Sequence, residues 1–440
     1  MIGGGAGRSK CWADKPLSEE PEKLDKSMTT PAIHPRDNAT ESAAAARKAV
    51  DILVPMDYYL PGNKAGGPVR SLANLIAALG DEFAFRILTR DRDLGDSMAY
   101  PNLGGQGWKP VGKAEVLYLS PGLAGKLAYL WQLVTVDRAT VLYLYSFLSR
   151  TYSMLPVVLW WMGLCRPRCV VLAPRGEFSS GALGIHSRRK WFFLTLSRTL
   201  GLHRKVIWAA STPFEAEDIR RQFDRGGKQL CEVVLACDLP NPAFPLLERA
   251  HRKWPGELRI VLVGRVSRMK NIDLAIRMLA GLRGKVTFDI IGPVEDTAYW
   301  QECKNHAARL PNNISVHFAG AVEHEQVLAA FAAHDLMLLP TLGENFGHVI
   351  HESLAMGCPV LISDRTPWRH LEADGVGWDL PLNEPGRFTT VLQQCQDADE
   401  AWLSGVSKRA RQYAFNRSSA KELINDNRNL FLLALHRTKQ

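Results

Sequence analysis

Residues 341–363 read TLGENFGHVIHESLAMGCPVLIS, and no other stretch restricts the fold of this chain so strongly. The apolar run Leu336-Met337-Leu338-Leu339-Pro340 precedes it, and it ends in a second one, Pro359-Val360-Leu361-Ile362. Between them, Gly343 and Gly347 flank Glu344, and a helix-forming apolar segment carries Glu352. Strand, glycine loop, helix, strand is the order of an α/β unit, in which ligands bind where the loop meets the helix amino end. The backbone N–H groups of Asn345, Phe346 and Gly347 are therefore expected to face a polar ligand. Glu352 follows Glu344 by about two turns of 3.6 residues, so both carboxylates fall on roughly one face. Two carboxylates spaced along one wall of a cleft suit a polyhydroxylated ligand, one holding a sugar and the other a ribose.

Taken with Asn345-Phe346-Gly347 and the following Gly357-Cys358-Pro359-Val360, the Glu344-x7-Glu352 pair resembles the nucleotide-sugar signature of family-4 retaining glycosyltransferases of the GT-B fold. A bare Glu-x7-Glu arises often by chance; its setting between two strands gives it weight. The bland alternative is a solvated first-turn Glu and one helix-surface Glu. The resemblance implies an α/β chain of two Rossmann-like, doubly wound parallel-sheet domains facing a central cleft. It also implies that Glu344 contacts the donor sugar, that Glu352 accepts hydrogen bonds from the ribose hydroxyls, and that the amides of 345–347 serve sugar hydroxyls or phosphate.

The segment LVGRVSRMKNIDLAIRML adds cations. A strand ends at Gly264, Arg265 follows, and Lys270-Asn271 opens the next helix. Arg265 and Lys270 are expected to converge on one anion, Arg gripping phosphate oxygens as a fork. This resembles the family's Gly-Arg-x4-Lys motif; the alternative is two surface cations at a βα loop. Arg268 is a third cation nearby, read as a bystander.

The pattern also divides the chain. Residues 1–46 are glycine-rich and then polar, with prolines at 16, 21, 31 and 35, which predicts a disordered leader. MIGGGAGRSK lacks the spacing of a phosphate loop and has no strand before it. An N-terminal domain is expected over 47–243. It opens with the strand Ala49–Pro55, the turn Gly66-Gly67-Pro68 and the helical spacing of Leu72, Leu75, Ile76 and Leu79. By resemblance Gly66 and Gly67 lie against the donor phosphates or the acceptor. Prolines 240, 242 and 245 and a polar stretch mark a linker, 244–257. A C-terminal nucleotide-sugar domain over 258–406 follows, and the resemblance implies that a last helix, 407–440, packs back on the N-terminal domain.

One strand departs from the family pattern. Val170–Ala173 runs into Pro174-Arg175-Gly176-Glu177, where many relatives carry a His near the reacting sugar. PRGEFSSGAL resembles a bacterial surface-polysaccharide subset. Arg175 and Glu177 are the acceptor candidates, for acceptor or phosphate; an Arg175–Glu177 pair that fixes the loop is the other reading. SDRTPWRHLEADGVGWDLPL, 363–382, is read as structure, with Gly375 and Gly377 in a turn and Trp378 packing.

Composition bounds the rest. A length of 440 residues, 46% hydrophobic and 22% charged, suits two ordinary domains plus extensions. No apolar run reaches the ~18–20 residues of a membrane span, the nearest being Leu155–Leu164, and the N-terminus lacks an apolar signal region, so secretion is not expected. The eight cysteines form no CxxC pair, which predicts reduced thiols and a cytoplasmic setting. His348 and His351 stand beside Glu352 without HExxH spacing, so no metal is expected. The net charge is +9, and Leu155–Leu230 alone holds 13 Lys and Arg against 5 Asp and Glu. There Arg188-Arg189-Lys190 precedes Trp191-Phe192-Phe193-Leu194, and Arg198 and His203-Arg204-Lys205 follow. This suits an anionic membrane surface or a buried amphipathic helix with a basic outer face; both stay open. Nucleic-acid signatures are absent, so nucleic acid is not an expected partner.

The resemblance therefore implies a retaining, hexosyltransferase-like enzyme. It moves a sugar from a nucleotide-diphosphate donor to a glycan or lipid-linked acceptor, in bacterial exopolysaccharide, lipopolysaccharide or capsule biosynthesis. It needs no cofactor or metal, since cations and helix dipoles meet the phosphate charge. No carboxylate nucleophile for double displacement is evident; the resemblance implies a front-face route in which the departing phosphate helps to take the acceptor proton. The alternatives are a GT-B sugar-nucleotide epimerase and a non-catalytic GT-B protein that binds a glycan or partner.

Overall fold

The computed structural model describes residues 51–62, 64–101, 103, 107–138, 140–179, 187–224, 231–241, 244–245 and 247–437, with the side chains of 187–190 excepted. The expected leader, 1–46, lies outside them. In chain order the first unit runs β1 (Asp51–Pro55), α1 (Gly67–Leu79), β2 (Ala84–Arg90), β3 (Lys109–Val111), β4 (Ala114–Leu119), α2 (Leu123–Val134) and β5 (Val141–Leu144). A π-helical turn (Arg150–Met154), α3 (Leu155–Trp161), β6 (Cys169–Leu172), α4 (Ser187–Leu200), β7 (Ile207–Ala210), α5 (Pro213–Phe223) and β8 (Glu232–Leu235) complete it. The second unit runs β9 (Glu257–Val263), a 3-10 turn (Arg268–Lys270), α6 (Ile272–Leu279), β10 (Lys285–Ile291), α7 (Thr297–Ala307), β11 (Ile314–Gly320) and α8 (His324–Ala332). Then come β12 (Leu336–Leu339), α9 (His348–Ala355), β13 (Val360–Ser363), β14 (Gly377–Leu380) and α10 (Pro385–Asp397), followed by α11 (Glu400–Ser418) and α12 (Lys421–His436).

The strands that read as unbroken apolar runs are the buried central ones. All four residues of β5, β6, β7, β12 and β13 are buried, as both faces of a parallel sheet require. The first sheet has the order β3-β4-β2-β1-β5-β6-β7-β8, parallel except for β3 against β4. The chain moves outward from β1 one way to β2 and the other way from β5 to β8. Right-handed crossovers therefore put α1 on one face and α2 to α5 on the other. The cores agree: Leu72 and Ile76 of α1 pack on one side, whereas Leu133, Val157, Leu194 and Ile219 of α2, α3, α4 and α5 share the opposite cluster. The second sheet, β11-β10-β9-β12-β13-β14, is parallel and reverses between β9 and β12. Ligands of such sheets bind beyond the strand carboxyl ends at the reversal. That puts the loops after β9 and β12, the two richest in expected site residues, side by side.

Two elements differ from expectation. Gly377, read as part of a turn, begins the strand β14, paired with β13. A Cβ there would sit 2.2 Å from the carbonyl oxygen of Val360, so glycine serves close strand approach. The expected boundary at 407 falls inside α11, which stays with the second domain: Ala410 and Ala414 belong to that core. The chain crosses back only after Ser418. It is α12 that packs on the first domain, where the Phe431 ring lies 5.4 Å from Phe83, 5.8 Å from Phe85 and 5.4 Å from Tyr143. Asn427 donates to the Cys237 carbonyl at 2.7 Å and Arg428 grips Glu82, which fixes the return. The described cysteines are buried free thiols.

Candidate functional site

The loop after β12 is stitched to the loop after β9. The Thr341 hydroxyl donates to the Met269 carbonyl at 2.9 Å, the Leu342 amide donates to the same carbonyl at 2.8 Å, and the Asn271 side chain donates to the Pro340 carbonyl at 3.0 Å. This brings the Lys270 ammonium to 2.5 Å from a Glu344 carboxylate oxygen, with both side chains largely buried. Lys270 can lie there because Gly264 has no side chain: a Cβ would stand 3.1 Å from its Cε. Gly347 is left-handed at φ 79° and caps α9, a conformation that glycine adopts without strain. Phe346 packs into the core, and its carbonyl accepts from the Trp368 indole at 2.6 Å. The Asn345 amide reaches across to the first domain, donating to the Ser211 hydroxyl at 2.7 Å and to Asp238 at 3.2 Å.

One step along α9, Glu352 is buried and faces α1. The Arg70 guanidinium donates to its carboxylate at 3.0 Å and to Nε2 of His324 at 2.8 Å. Burial pushes the Glu352 carboxyl up to about 7, against the pull of Arg70. His324 is pushed down to about 4, and His348 and His351 to about 3, chiefly by burial, so these rings are neutral near pH 7. The Ser71 hydroxyl and His348 share a hydrogen bond of 2.7 Å. Gly66, at φ 74°, and Gly67 lead directly into α1, and the space beside Gly67 is bounded by the His348 ring. The glycine turn of one domain thus faces the glutamate helix of the other. A cavity of about 30 Å³ between them is lined by Arg70, Asn74, Asn241, Phe244, His351 and Glu352 among others.

Arg265 stands in the same loop as Lys270, but it pairs with Glu295 at 3.0 Å near the surface. The two cations therefore hold separate carboxylates in this form rather than converging. Arg268 grips Glu302 at 2.6 Å and lies over the Tyr299 ring. Arg175 and Glu177 do not pair with each other. Arg175, at φ 54°, bonds Asp238, donates to the Tyr143 hydroxyl at 3.0 Å and stacks 4.0 Å over the Tyr145 ring. The Glu177 carboxylate accepts from the amides of Phe147 at 2.6 Å and Leu148 at 3.0 Å, and from the Ser146 hydroxyl at 2.7 Å. Asp238 accepts from both Arg175 and Asn345, so Arg175 is tied to the loop of Glu344 across the cleft.

Sequence reasoning missed Arg70, Ser211, Asp238 and His324. Arg70 left one local signal: a cation as the fourth residue of a helix opposes the helix dipole, so it needs a carboxylate from elsewhere. The others come together only through the domain packing. Among the described residues, no group of three or more His, Cys, Asp and Glu side chains is placed to hold a metal ion.

Residues 245–394 match the family model described as glycosyl transferases group 1. The chain is 27% identical over 219 residues to a D-inositol 3-phosphate glycosyltransferase of Streptomyces avermitilis, covering 47% of each chain. It is 27% identical over 243 residues to a phosphatidyl-myo-inositol mannosyltransferase of Mycolicibacterium smegmatis, covering 52% of this chain and 60% of that one. The matches thus span about half the length of these relatives. An Anabaena protein, HepE, solved with UDP and glucose, superposes with a TM-score of 0.58 over 87% of this chain and 99% of its own, at 16% identity.

Proposed function

From a chain whose residues 245–394 match the glycosyl transferases group 1 model, set in a GT-B fold, we propose an enzyme that moves a sugar from a nucleotide-diphosphate donor to a glycan or lipid-linked acceptor. The observation that carries this reading is the meeting of Lys270 with Glu344 and of Arg70 with Glu352 at one sheet reversal, opposite the Gly66-Gly67 turn. On this reading Glu352 takes the ribose hydroxyls and Glu344 the donor sugar. Lys270 and Arg265 turn from their carboxylates to the diphosphate as its charge develops. The solved HepE complex with UDP and glucose supports a nucleotide-sugar donor, and the two relatives named for inositol substrates support an inositol-type acceptor as the alternative to a surface polysaccharide.

Retention of configuration without a metal is part of the proposal, as is peripheral attachment of the basic–aromatic stretch Arg188–Lys205 to the inner face of the plasma membrane. Titration with UDP, GDP and ADP, followed by product analysis from the matching nucleotide sugars, tests it. Binding of one nucleotide with release of its diphosphate form and a glycosylated acceptor is expected. Nucleotide binding without any transfer across an acceptor panel favours the non-catalytic reading, and conversion of the free donor to its epimer favours the epimerase. Turnover is expected to survive EDTA; loss with rescue by Mg²⁺ or Mn²⁺ overturns the metal-free part.

A further inference from the structure

The side of the first sheet that carries α2, α3 and α4 turns a broad apolar surface outward. On α2, Leu123, Leu127, Trp131 and Val134 are each more than half exposed. Their spacing of four, four and three puts them on one stripe of the helix, while Tyr129 and Leu133 on the opposite stripe fill the core. Next to it, Trp161 and Met162 end α3 equally exposed, and Trp191 and Phe192 stand about two-thirds exposed on α4. The helices are neighbours: the Tyr129 hydroxyl donates to the Thr151 carbonyl at 2.8 Å just before α3, and Trp160, Trp161, Ser197 and Leu200 line one depression between α3 and α4. Single exposed apolar residues are ordinary; a contiguous field of them marks a contact surface.

Charge identifies what the surface meets. The helices α2, α3 and α4 contain no Asp or Glu. The depression, about 930 Å³, is lined by Arg168, Arg198, Arg204, Lys205 and Arg437 beside the two tryptophans. We propose that this face of the first domain docks on an anionic phospholipid leaflet, with α2 as its main inserted element and the basic depression over the headgroups. Tryptophans at the edge of an apolar field and a basic margin are the chemistry of that interface. A second copy of the chain is disfavoured, because it would set two acid-free basic faces against each other. Both α2 and α4 follow the carboxyl ends of sheet strands, the end at which the two domains meet, so the docked face runs from the cleft rim to the depression, which lies at the amino ends of β6, β7 and β8. This names the partner of the lipid-linked acceptor reading and rests on it for purpose, but it is measured without donor or acceptor.

The test is sedimentation of the full chain with vesicles of phosphatidylcholine alone or mixed with phosphatidylglycerol, with the double variant L127E/W131E alongside. Both changed side chains are exposed, and thermal melting and nucleotide binding check the fold and the donor site separately. The wild type is expected to sediment with the anionic vesicles and to be released by salt, and the variant to lose on the order of tenfold or more in partitioning. No sedimentation of the wild type, or equal sedimentation of the variant, overturns the docking face even where nucleotide binding is intact. A wild-type dimer in solution that L127E/W131E makes monomeric, without vesicle binding, overturns it in favour of self-association.

Discussion

Lys270 and Arg265 were one motif in the sequence and are two different side chains in the fold. Lys270 is largely buried against Glu344, whereas Arg265 is nearly half exposed against Glu295. A charge-assisted contact to a diphosphate contributes about 1.5–3 kcal/mol, or roughly 10- to 150-fold in rate. Lys270→Ala is expected to lose turnover across that range, and Arg265→Ala to lose less, since solvent already screens it. Steady-state rates on folded variants decide, and equal, near wild-type turnover of both removes the phosphate role. Glu352 permits a sharper test. Its carboxyl sits at about 7 because burial opposes ionisation, and only the charged form accepts well from two ribose hydroxyls. Affinity for a nucleotide sugar, whose diphosphate diester does not titrate there, is therefore expected to rise as pH rises through about 7. Arg70 is the charge that holds the group down, so Arg70→Met moves the rise to higher pH, and Glu352→Gln abolishes it. Calorimetric titrations across this range that give a flat profile for the wild type sink the assignment.

At the scale of elements, the apolar runs of β5, β6, β12 and β13 were legible because a strand buried on both faces has no choice of residue. The loop that holds Glu344 was legible because glycines mark it. What was hidden depended on a second element: Gly377 became a strand only because Val360 lies against it, and the Asp238–Asn345 contact needs both domains in place. The end of the chain was half legible. Helix was evident, but the break at Ser419–Ala420 between α11 and α12 has no proline or glycine to announce it. The consequence is testable, since α12 belongs to the first core. Phe431 is fully buried among Phe83, Phe85 and Tyr143. Phe431→Ala is expected to cost about 3–5 kcal/mol. Because α12 is the strap between domains, the loss should appear in the first domain, read by protease susceptibility of its strands; cleavage confined to the second domain contradicts the crossover.

Buried histidines that are neutral near pH 7 stand where the two domains meet, and they shape the molecule's response to acid. His324, His348 and His351 stand where α1 meets α8 and α9, and His203 lies in the first core; burial pushes them to about 4, 3, 3 and 3. In the unfolded chain each titrates near 6.5. The unfolded state thus takes up protons first as pH falls, and stability, full above about 6.5, is lost progressively toward about 3 at up to ~1.4 kcal/mol per unit per ring. Glu352 has the opposite sign. Its folded value of about 7 lies above the ordinary carboxylate value, so between about 4.5 and 7 the folded state holds the extra proton and gains stability as pH falls. Four histidines outweigh Glu352 and the buried Glu215, whose carboxyl burial also raises, so the thermal midpoint should fall from pH 7 to 5, and Glu352→Gln should make that fall steeper by removing an opposing group. A midpoint that is level or rising toward acid in the wild type, or a shallower fall in the variant, contradicts neutral burial of these rings. Three of the four rings lie at the domain boundary, so the loss is also expected to loosen the cleft first, weakening nucleotide-sugar binding at a pH where the separate cores still melt cooperatively.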